Sequence, residues 1–246
     1  MKAPAADQTK LLTVQAHDTV LHQLAHKRGH LPELALLAAV DQEEALTREE
    51  AELARAAAAD VRRELTRVED EIAKVEARDA RDKERLDSGG GLSRELVALQ
   101  QELETLARRR GILEEDALDV MERLEEAQGK VAALDASLAA LAVRRAELDG
   151  VLASATGEID QAAAAESAKR DALAHGLDAA LMALYERLRA RLGGVGAARL
   201  ERGRCGGCGM QLSASDLAAL RGLGADEVAR CEECTRILVR GEDSGL

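Results

Sequence analysis

Residues 92–124 read LSRELVALQQELETLARRRGILEEDALDVMERL and carry an apolar residue at alternating steps of four and three. The pattern continues in the same register to Ile159, and only Arg110 and Arg145 interrupt it. A stripe with a period of 3.5 residues over this length is typical of a coiled-coil seam. We interpret the two arginines as side chains that reach out of a narrow seam; the alternative is that they mark a gap where a partner binds.

A glycine turn, Ser88-Gly-Gly-Gly91, precedes this stripe. Three consecutive glycines end a helix and let the chain reverse. We therefore predict an intramolecular antiparallel hairpin between a helix over residues 32–87 and the helix that follows the glycines. A parallel homodimer is the alternative, but the glycines would then have no purpose.

The first helix of the hairpin has its own stripe, which weakens at Asp79 and Asp82. Its members are Val61, Leu65, Val68, Ile72 and Val75. Pairing about the turn places Ile72 near residue 107 and Leu34 near residue 145. Since the second helix then outruns the first, we expect a helix over residues 8–28 to cover the excess.

Four cysteines, the only ones in the chain, occur as Cys205-Gly-Gly-Cys208 and Cys231-Glu-Glu-Cys234. Two C-x-x-C pairs at this separation predict one structural, tetrahedral zinc ion with four thiolate ligands. Two disulfides would need an oxidising compartment, and nothing in the sequence directs the chain to one. A redox dithiol would need a thioredoxin-like βαβ context, which the sequence does not contain.

The segment around the cysteines differs from the helical part. The seam fails at Glu166, and a further helix is expected to run from about residue 173 to about residue 192. Residues 197–200 and 237–240 are predicted as short strands that flank the cysteines. Between the two cysteine pairs we expect a helical or irregular insert, which Ser213 or Ser215 could cap.

The composition fits this division. The chain has no Trp, no Phe and one tyrosine, Tyr185, and charged residues make up 33%, which favours long helices on narrow seams over a large globular core. The predicted fold is mainly α: a long antiparallel coiled-coil hairpin followed by a small C-terminal β zinc ribbon. We predict a helical domain over residues 1–192 and a ribbon over residues 193–246.

Charge limits the classes of partner. The formal net charge is −12, which argues against a non-specific nucleic-acid binder and against binding to an anionic membrane. The N-terminus has no apolar region typical of a signal peptide, and the apolar run at residues 34–40 is too short to span a bilayer. We therefore expect a cytoplasmic protein that does not bind membranes.

The arginines near the cysteines are the candidate contacts for nucleic acid or another partner. They are Arg199, Arg202, Arg204, Arg236 and Arg240. Residues 193–246 carry seven Arg, no Lys and eight Asp or Glu, with no aromatic side chain to stack on a base. We interpret the arginines as offsetting the charge of a zinc tetrathiolate, with phosphate contact as the alternative.

No catalytic motif stands out, and nothing suggests a pocket for a small-molecule substrate. We therefore predict a non-enzymatic adaptor or scaffold that binds a protein partner. The alternative function is binding of DNA or RNA through the ribbon arginines.

The chain resembles the bacterial C4-type zinc-ribbon proteins that have an N-terminal coiled-coil hairpin. The resemblance rests on Cys205-Gly-Gly-Cys208-Gly-Met-Gln-Leu212, on residues 231–240 and on the helical segments 94–103 and 113–122. It implies that the four cysteines are the zinc ligands, and it brings no catalytic residues. Thr235 stands where the family commonly has Gly, which bears on the turn geometry more than on metal binding. The family is usually labelled as candidate nucleic-acid binding, and some relatives are described as adaptors or chaperones in flagellar or secretion assembly.

Overall fold

The computed structural model describes residues 1–89 and 92–246, so Gly90 and Gly91 of the predicted glycine turn lie outside the described residues. The chain divides into two compact units. The terminal unit contains Met1–Leu34 and Gly150–Leu246, and the hairpin unit is Ala35–Asp149.

Two long helices supply the hairpin unit: α2 spans Pro32–Asp87 and α3 spans Ser93–Ala174. Ion pairs join them in reverse order along the chain, which makes the helices antiparallel. These pairs are Glu71 with Arg109 at 3.1 Å, Glu64 with Arg123 at 2.9 Å and Asp41 with Arg145 at 2.7 Å. The predicted intramolecular hairpin is therefore confirmed.

The pairing near the turn agrees with the predicted proximity of Ile72 and residue 107, because Glu71 contacts Arg109. Farther from the turn, Arg145 contacts Asp41 and Glu44, so the predicted pairing of Leu34 with residue 145 is wrong. The register depends on how side chains interlock along the seam, and counting residues from the turn does not capture this.

The stripe on α3 lies in the interface between the helices. Its buried members in the hairpin unit are Leu106, Ala117, Val120 and Leu141. Arg110 and Arg145 are each 45% exposed at the side chain. Their guanidinium groups lie near Glu114 and Asp41, respectively. The interpretation of these arginines as side chains that leave the seam is confirmed.

The stripe on α2 is longer than the sequence analysis found. Its buried members include Val40, Ala51 and Ala54, which fall on the same heptad register as Val75. Alanines do not stand out as a stripe in an alanine-rich sequence, but they let two helices approach closely. Arg55 forms an ion pair with Asp135, which places these alanines beside the leucine-rich residues 134–141 of α3.

Asp82 occupies a seam position near the turn, where the stripe on α2 was predicted to weaken. The residue is only 8% exposed. Its ion pairs are long: Arg78 lies 3.7 Å and Arg85 4.0 Å from its carboxylate oxygens. A carboxylate removed from water with such weak pairing destabilises the folded state.

Three helical segments form the helical part of the terminal unit: α1 (Ala5–Gly29), the end of α3, and α4 (Ala179–Arg191). α1 runs antiparallel to the end of α3, because Arg28 binds Asp160 at 2.8 Å and His17 contacts Glu166 at 2.6 Å. The N-terminal helix therefore covers the excess of α3, as predicted.

Glu166 does not end the helix, although the apolar seam fails there. α3 continues to Ala174. The hydrogen bond from His17 is the main cause that lowers the pKa of the Glu166 carboxyl, and the hydrogen bond from Lys169 adds to it. The helix break comes later: Asp178 caps α4 by accepting a hydrogen bond from the Leu181 N–H at 2.9 Å.

A four-stranded sheet follows α4, with β1 at Ala197–Glu201, β2 at Arg204–Cys205, β3 at Ala229–Arg230 and β4 at Ile237–Val239. The strand order is β2-β1-β4-β3, and β1 pairs with β4 in parallel. Helix α5 (Ala214–Gly222) lies between β2 and β3. Ser213 caps the N-terminus of this helix and forms a capping box with Asp216. Both predicted strands and one of the two predicted caps are confirmed.

The two faces of the β1–β4 pair belong to different cores. Ala197, Ile237 and Val239 pack with apolar side chains of α1 and α4. Ala198, Leu200 and Leu238 pack with the cysteine-containing side. The ribbon and the helices therefore share a core, and the compact unit that contains the ribbon also contains the terminal helices. The cause is the period-two alternation of a sheet that is buried on both faces.

A buried polar network joins the sheet to the helices. The Tyr185 hydroxyl donates to Asp18 Oδ2 at 2.6 Å, and the Gly196 N–H donates to Gln15 Oε1 at 2.8 Å. Arg170 Nε lies 3.3 Å from the other oxygen of Asp18. Gly196 is required here, because an added Cβ would lie 2.7 Å from the Tyr185 carbonyl oxygen.

Within residues 1–89 and 92–246, no helix combines the length and the apolarity needed to cross a bilayer.

Replacing Asp82 with leucine is expected to stabilise the hairpin. Asp82→Leu removes a desolvated carboxylate from the seam and buries an apolar side chain in its place, which should raise the free energy of unfolding by about 1–3 kcal/mol. Urea unfolding followed by helical circular dichroism measures the change.

Asp70→Leu is the matched control, because Asp70 is exposed on the same helix. It should leave the unfolding midpoint nearly unchanged. An equal gain in both variants, or a loss of stability in Asp82→Leu, would contradict the seam position of Asp82.

Candidate metal centre

The first cysteine pair forms a tight hairpin at the end of β2. Gly209 follows Cys208 with φ of 75°, in the left-handed region that glycine adopts readily. The Gly209 N–H donates to the Cys205 carbonyl at 2.8 Å, and the Cys205 N–H donates to the Met210 carbonyl at 3.0 Å. This turn points the side chains of Cys205 and Cys208 to the same side.

The second cysteine pair repeats this backbone geometry after β3. The Thr235 N–H donates to the Cys231 carbonyl at 2.8 Å, and the Cys231 N–H donates to the Arg236 carbonyl at 3.0 Å. Thr235 has φ of 64°, so it adopts the conformation that Gly209 adopts in the first pair. The departure from glycine therefore leaves the turn intact, although a β-branched residue in this region is strained.

The four sulfur atoms form one cluster. Cys205 Sγ lies 3.8 Å from Cys234 Sγ, and Cys208 Sγ lies 3.9 Å from Cys231 Sγ. All four lie within 4.8 Å of one another. A tetrahedron with zinc–sulfur bonds of about 2.3 Å has edges of about 3.8 Å, whereas a disulfide needs about 2.05 Å. The donor set fits one structural zinc ion whose four coordination positions are all filled by the protein.

The thiols of Cys205, Cys231 and Cys234 differ in burial and in hydrogen bonding, and their pKa values shift in different directions. Burial raises the pKa of Cys205 and raises that of Cys231 to about 12. Burial acts in the same direction on Cys234, but hydrogen bonds from the backbone and side chain of Arg236 outweigh it and lower its pKa to about 7. Since zinc binds thiolates, it must displace protons from the buried cysteines.

Arg236 connects the metal centre to the end of α4. Its Nε donates to the Val195 carbonyl and its Nη2 to the Leu192 carbonyl, both at 2.9 Å. Gly207 leaves space for this side chain, since an added Cβ would lie 2.5 Å from Arg236 Cδ. The sequence signalled a charge near the cysteines, but it did not indicate this structural role.

Arg240 is also held by backbone groups. Its guanidinium donates to four carbonyls at the end of α5 and in the following loop: those of Leu220, Leu223, Gly224 and Glu227. This arrangement satisfies carbonyls that the helix end leaves free. Arg240 therefore stabilises the fold around α5.

The other three candidate arginines, Arg199, Arg202 and Arg204, are exposed. Arg199 lies 3.9 Å from Glu201, its neighbour on β1. Arg202 lies in the turn between β1 and β2 with φ of 49°, and its N–H donates to the Asp243 carbonyl at 2.7 Å. The five predicted contact residues thus divide into two that bind the backbone and three whose side chains face solvent.

Relief of the strain at Thr235 should strengthen the metal centre. Thr235→Gly keeps the turn and removes the strain of a β-branched residue in the left-handed region. The greater conformational freedom of glycine in the unfolded chain offsets part of this gain in stability. We expect a gain of about 1 kcal/mol, seen as about fivefold stronger retention of zinc against a competing chelator.

Gly209→Ala is the matched change in the other cysteine hairpin. An added Cβ there would meet no atom within 4 Å, so its cost comes from the backbone conformation alone, and zinc retention should weaken. Weaker retention in Thr235→Gly would show that the threonine side chain stabilises the turn, and would contradict the strain at this position.

Comparison with known proteins agrees with the fold and the metal centre. A family profile described as the CT398-like coiled coil hairpin domain matches residues 14–193, and one described as the C4-type zinc ribbon domain matches residues 204–238. The uncharacterized protein Rv2229c of Mycobacterium tuberculosis is 40% identical over 242 residues, which cover 98% of each chain.

Solved structures show the same architecture. A structure from Mycobacterium smegmatis is 32% identical, has a TM-score of 0.87 and covers 98% of this chain and 100% of its own. The structure of CT398 from Chlamydia trachomatis is 19% identical, with a TM-score of 0.70 and coverage of 96% and 98%, and it supports the fold alone. The chain therefore belongs to the family of proteins with a CT398-like coiled-coil hairpin, and it ends in a C4-type zinc ribbon.

Proposed function

We propose that the protein is a non-enzymatic, chaperone-like adaptor that binds another protein through its helical hairpin. The observation that carries this proposal is the exposure of large apolar side chains on both helices of the hairpin unit. They include Leu46, Leu53, Ile112, Leu118, Met121 and Val143, which are between 52% and 67% exposed. Two packed helices bury only one stripe on each, so the remaining faces are available to a partner.

The metal centre supports a structural role for zinc within this proposal. Four thiolates fill the tetrahedral coordination of the zinc ion, so no position is left for the water molecule that a catalytic zinc site binds. The ribbon therefore serves as a folded module that zinc stabilises. We propose that the protein acts in the cytoplasm, where thiolate ligands stay reduced.

Exposure of Arg199, Arg202 and Arg204 favours nucleic-acid binding as a second candidate function. Two further candidates, Arg236 and Arg240, already donate to backbone carbonyls. The net charge is −12, and the one tyrosine of the chain is buried, so it cannot stack on a base. These features favour a protein partner over nucleic acid.

Affinity purification from the native cell, with and without nuclease, separates the two functions. If the protein is an adaptor, the same proteins should be captured after nuclease treatment and at raised salt. Nucleic-acid binding predicts loss with nuclease and a steep decrease with salt, because binding to phosphates releases counterions.

A mobility-shift titration provides the control. The variant Arg202→Glu with Arg204→Glu changes two exposed arginines and avoids the structural Arg236. Tight nucleic-acid binding by the wild type that this variant abolishes, without loss of zinc, would contradict the adaptor proposal.

A further inference from the structure

One groove on the hairpin unit combines exposed apolar side chains with acidic ones. Leu118 and Met121 of α3 lie one turn apart and are 61% and 52% exposed. With Leu65 of α2 they line a groove of about 360 Å³. The remaining lining residues are Glu122, Leu124, Glu125 and Gln128. We call this feature the acidic groove.

The helix segment that supplies the acidic groove carries strong negative charge. Residues 113–126 read LEEDALDVMERLEE, with seven acidic residues and one basic residue, Arg123. Arg123 is already bound to Glu64 through two hydrogen bonds of 3.1 and 2.9 Å. Over residues 1–89 and 92–246, neither Glu122 nor Glu125 has a cationic partner within 4.0 Å. The groove therefore presents uncompensated carboxylates beside its apolar floor.

This arrangement is unfavourable for the isolated hairpin. Like charges at i, i+4 destabilise a helix, and Glu122 with Glu126 form such a pair. Exposed Leu118 and Met121 also contribute little to folding while they stay in water. A partner that covers the apolar floor and supplies positive charge would relieve both costs.

We propose that the acidic groove binds a basic amphipathic helix of the protein partner. The proposal rests on the adaptor function and names the site and the partner's chemistry. The partner helix would place apolar side chains at i, i+3 or i+4 and i+7 on Leu65, Leu118 and Met121. Its Lys or Arg side chains would pair with Glu122 and Glu125. Methionine suits such a surface, because its flexible thioether adapts to different apolar partners.

Charge complementarity selects this occupant over others. A second copy of the chain would bring the same carboxylates against Glu122 and Glu125, and like charges across an interface disfavour association. Nucleic acid would be repelled by the same groups. A basic amphipathic helix makes favourable contacts with both the apolar floor and the carboxylates of the acidic groove.

The test uses the full chain loaded with zinc and a synthetic helix of about 18 residues, with leucines on one face and lysines elsewhere. The key variant is Leu118→Gln with Met121→Gln, which removes the apolar floor but keeps every charge. Isothermal titration should show binding by the wild type and a loss of at least about tenfold in the variant, which corresponds to about 1.4 kcal/mol.

The matched control is Leu36→Gln with Val97→Gln, since these residues are 45% and 54% exposed in the hairpin unit and do not line the groove. It should bind the peptide as the wild type does. A leucine–glutamate peptide of the same pattern should not bind the wild type. Equal binding of the lysine peptide by wild type and groove variant, or an equal loss in the control, would overturn the groove assignment.

Three further outcomes separate this inference from the adaptor function. Partners captured from the native cell should be lost with the groove variant; if wild type and variant capture them equally, the adaptor function stands and the groove assignment fails. If light scattering finds a wild-type dimer that the variant converts to a monomer, the groove is a self-association surface and the proposal is overturned. Absence of any captured protein, with groove-dependent peptide binding intact, would remove the adaptor function alone.

Discussion

The parallel pairing of β1 with β4 is the interaction on which the terminal unit depends. The register aligns Ala197 with Ile237 and Ala198 with Leu238, so alternate residues of the same two strands enter two different cores. One core contains helices α1 and α4, and the other contains the cysteine cluster. Its strands are only two to five residues long, so the sheet depends on what packs against its two faces. The helices α1 and α4 cover one face, and α5 and the zinc-binding cysteines cover the other.

Because the sheet is buried on both faces, the polar groups beside it need hydrogen-bond partners within the protein. Gln15 and Tyr185 satisfy backbone and carboxylate groups between α1, α4 and the start of β1, and Arg236 joins the second cysteine hairpin to the end of α4. An arginine used in this way is not available for phosphate. The hairpin unit, in contrast, leaves apolar and acidic side chains exposed, so its chemistry is the better guide to a partner.

Much of this organisation could be predicted from the sequence, because strong local patterns carried it. Heptad spacing and the glycine turn indicated the hairpin, and the C-x-x-C pairs indicated the metal centre. The alanine part of the α2 seam was missed, since Ala51 and Ala54 resemble the alanines around them until burial separates them. The shared core was missed because it depends on contacts between distant segments. The roles of Arg236 and Arg240 were missed for the same reason: their partners are backbone carbonyls, which no sequence pattern displays.

The most direct test follows Tyr185 fluorescence while zinc is removed. The chain has no tryptophan and one tyrosine, so this emission reports on the helical side of the β1–β4 sheet. If the sheet couples the two cores, Cys208→Ser or a chelator should change the emission of Tyr185 as zinc is lost, while most of the helical circular dichroism remains. Loss of zinc with unchanged Tyr185 emission would show that the two cores are independent and would contradict this account.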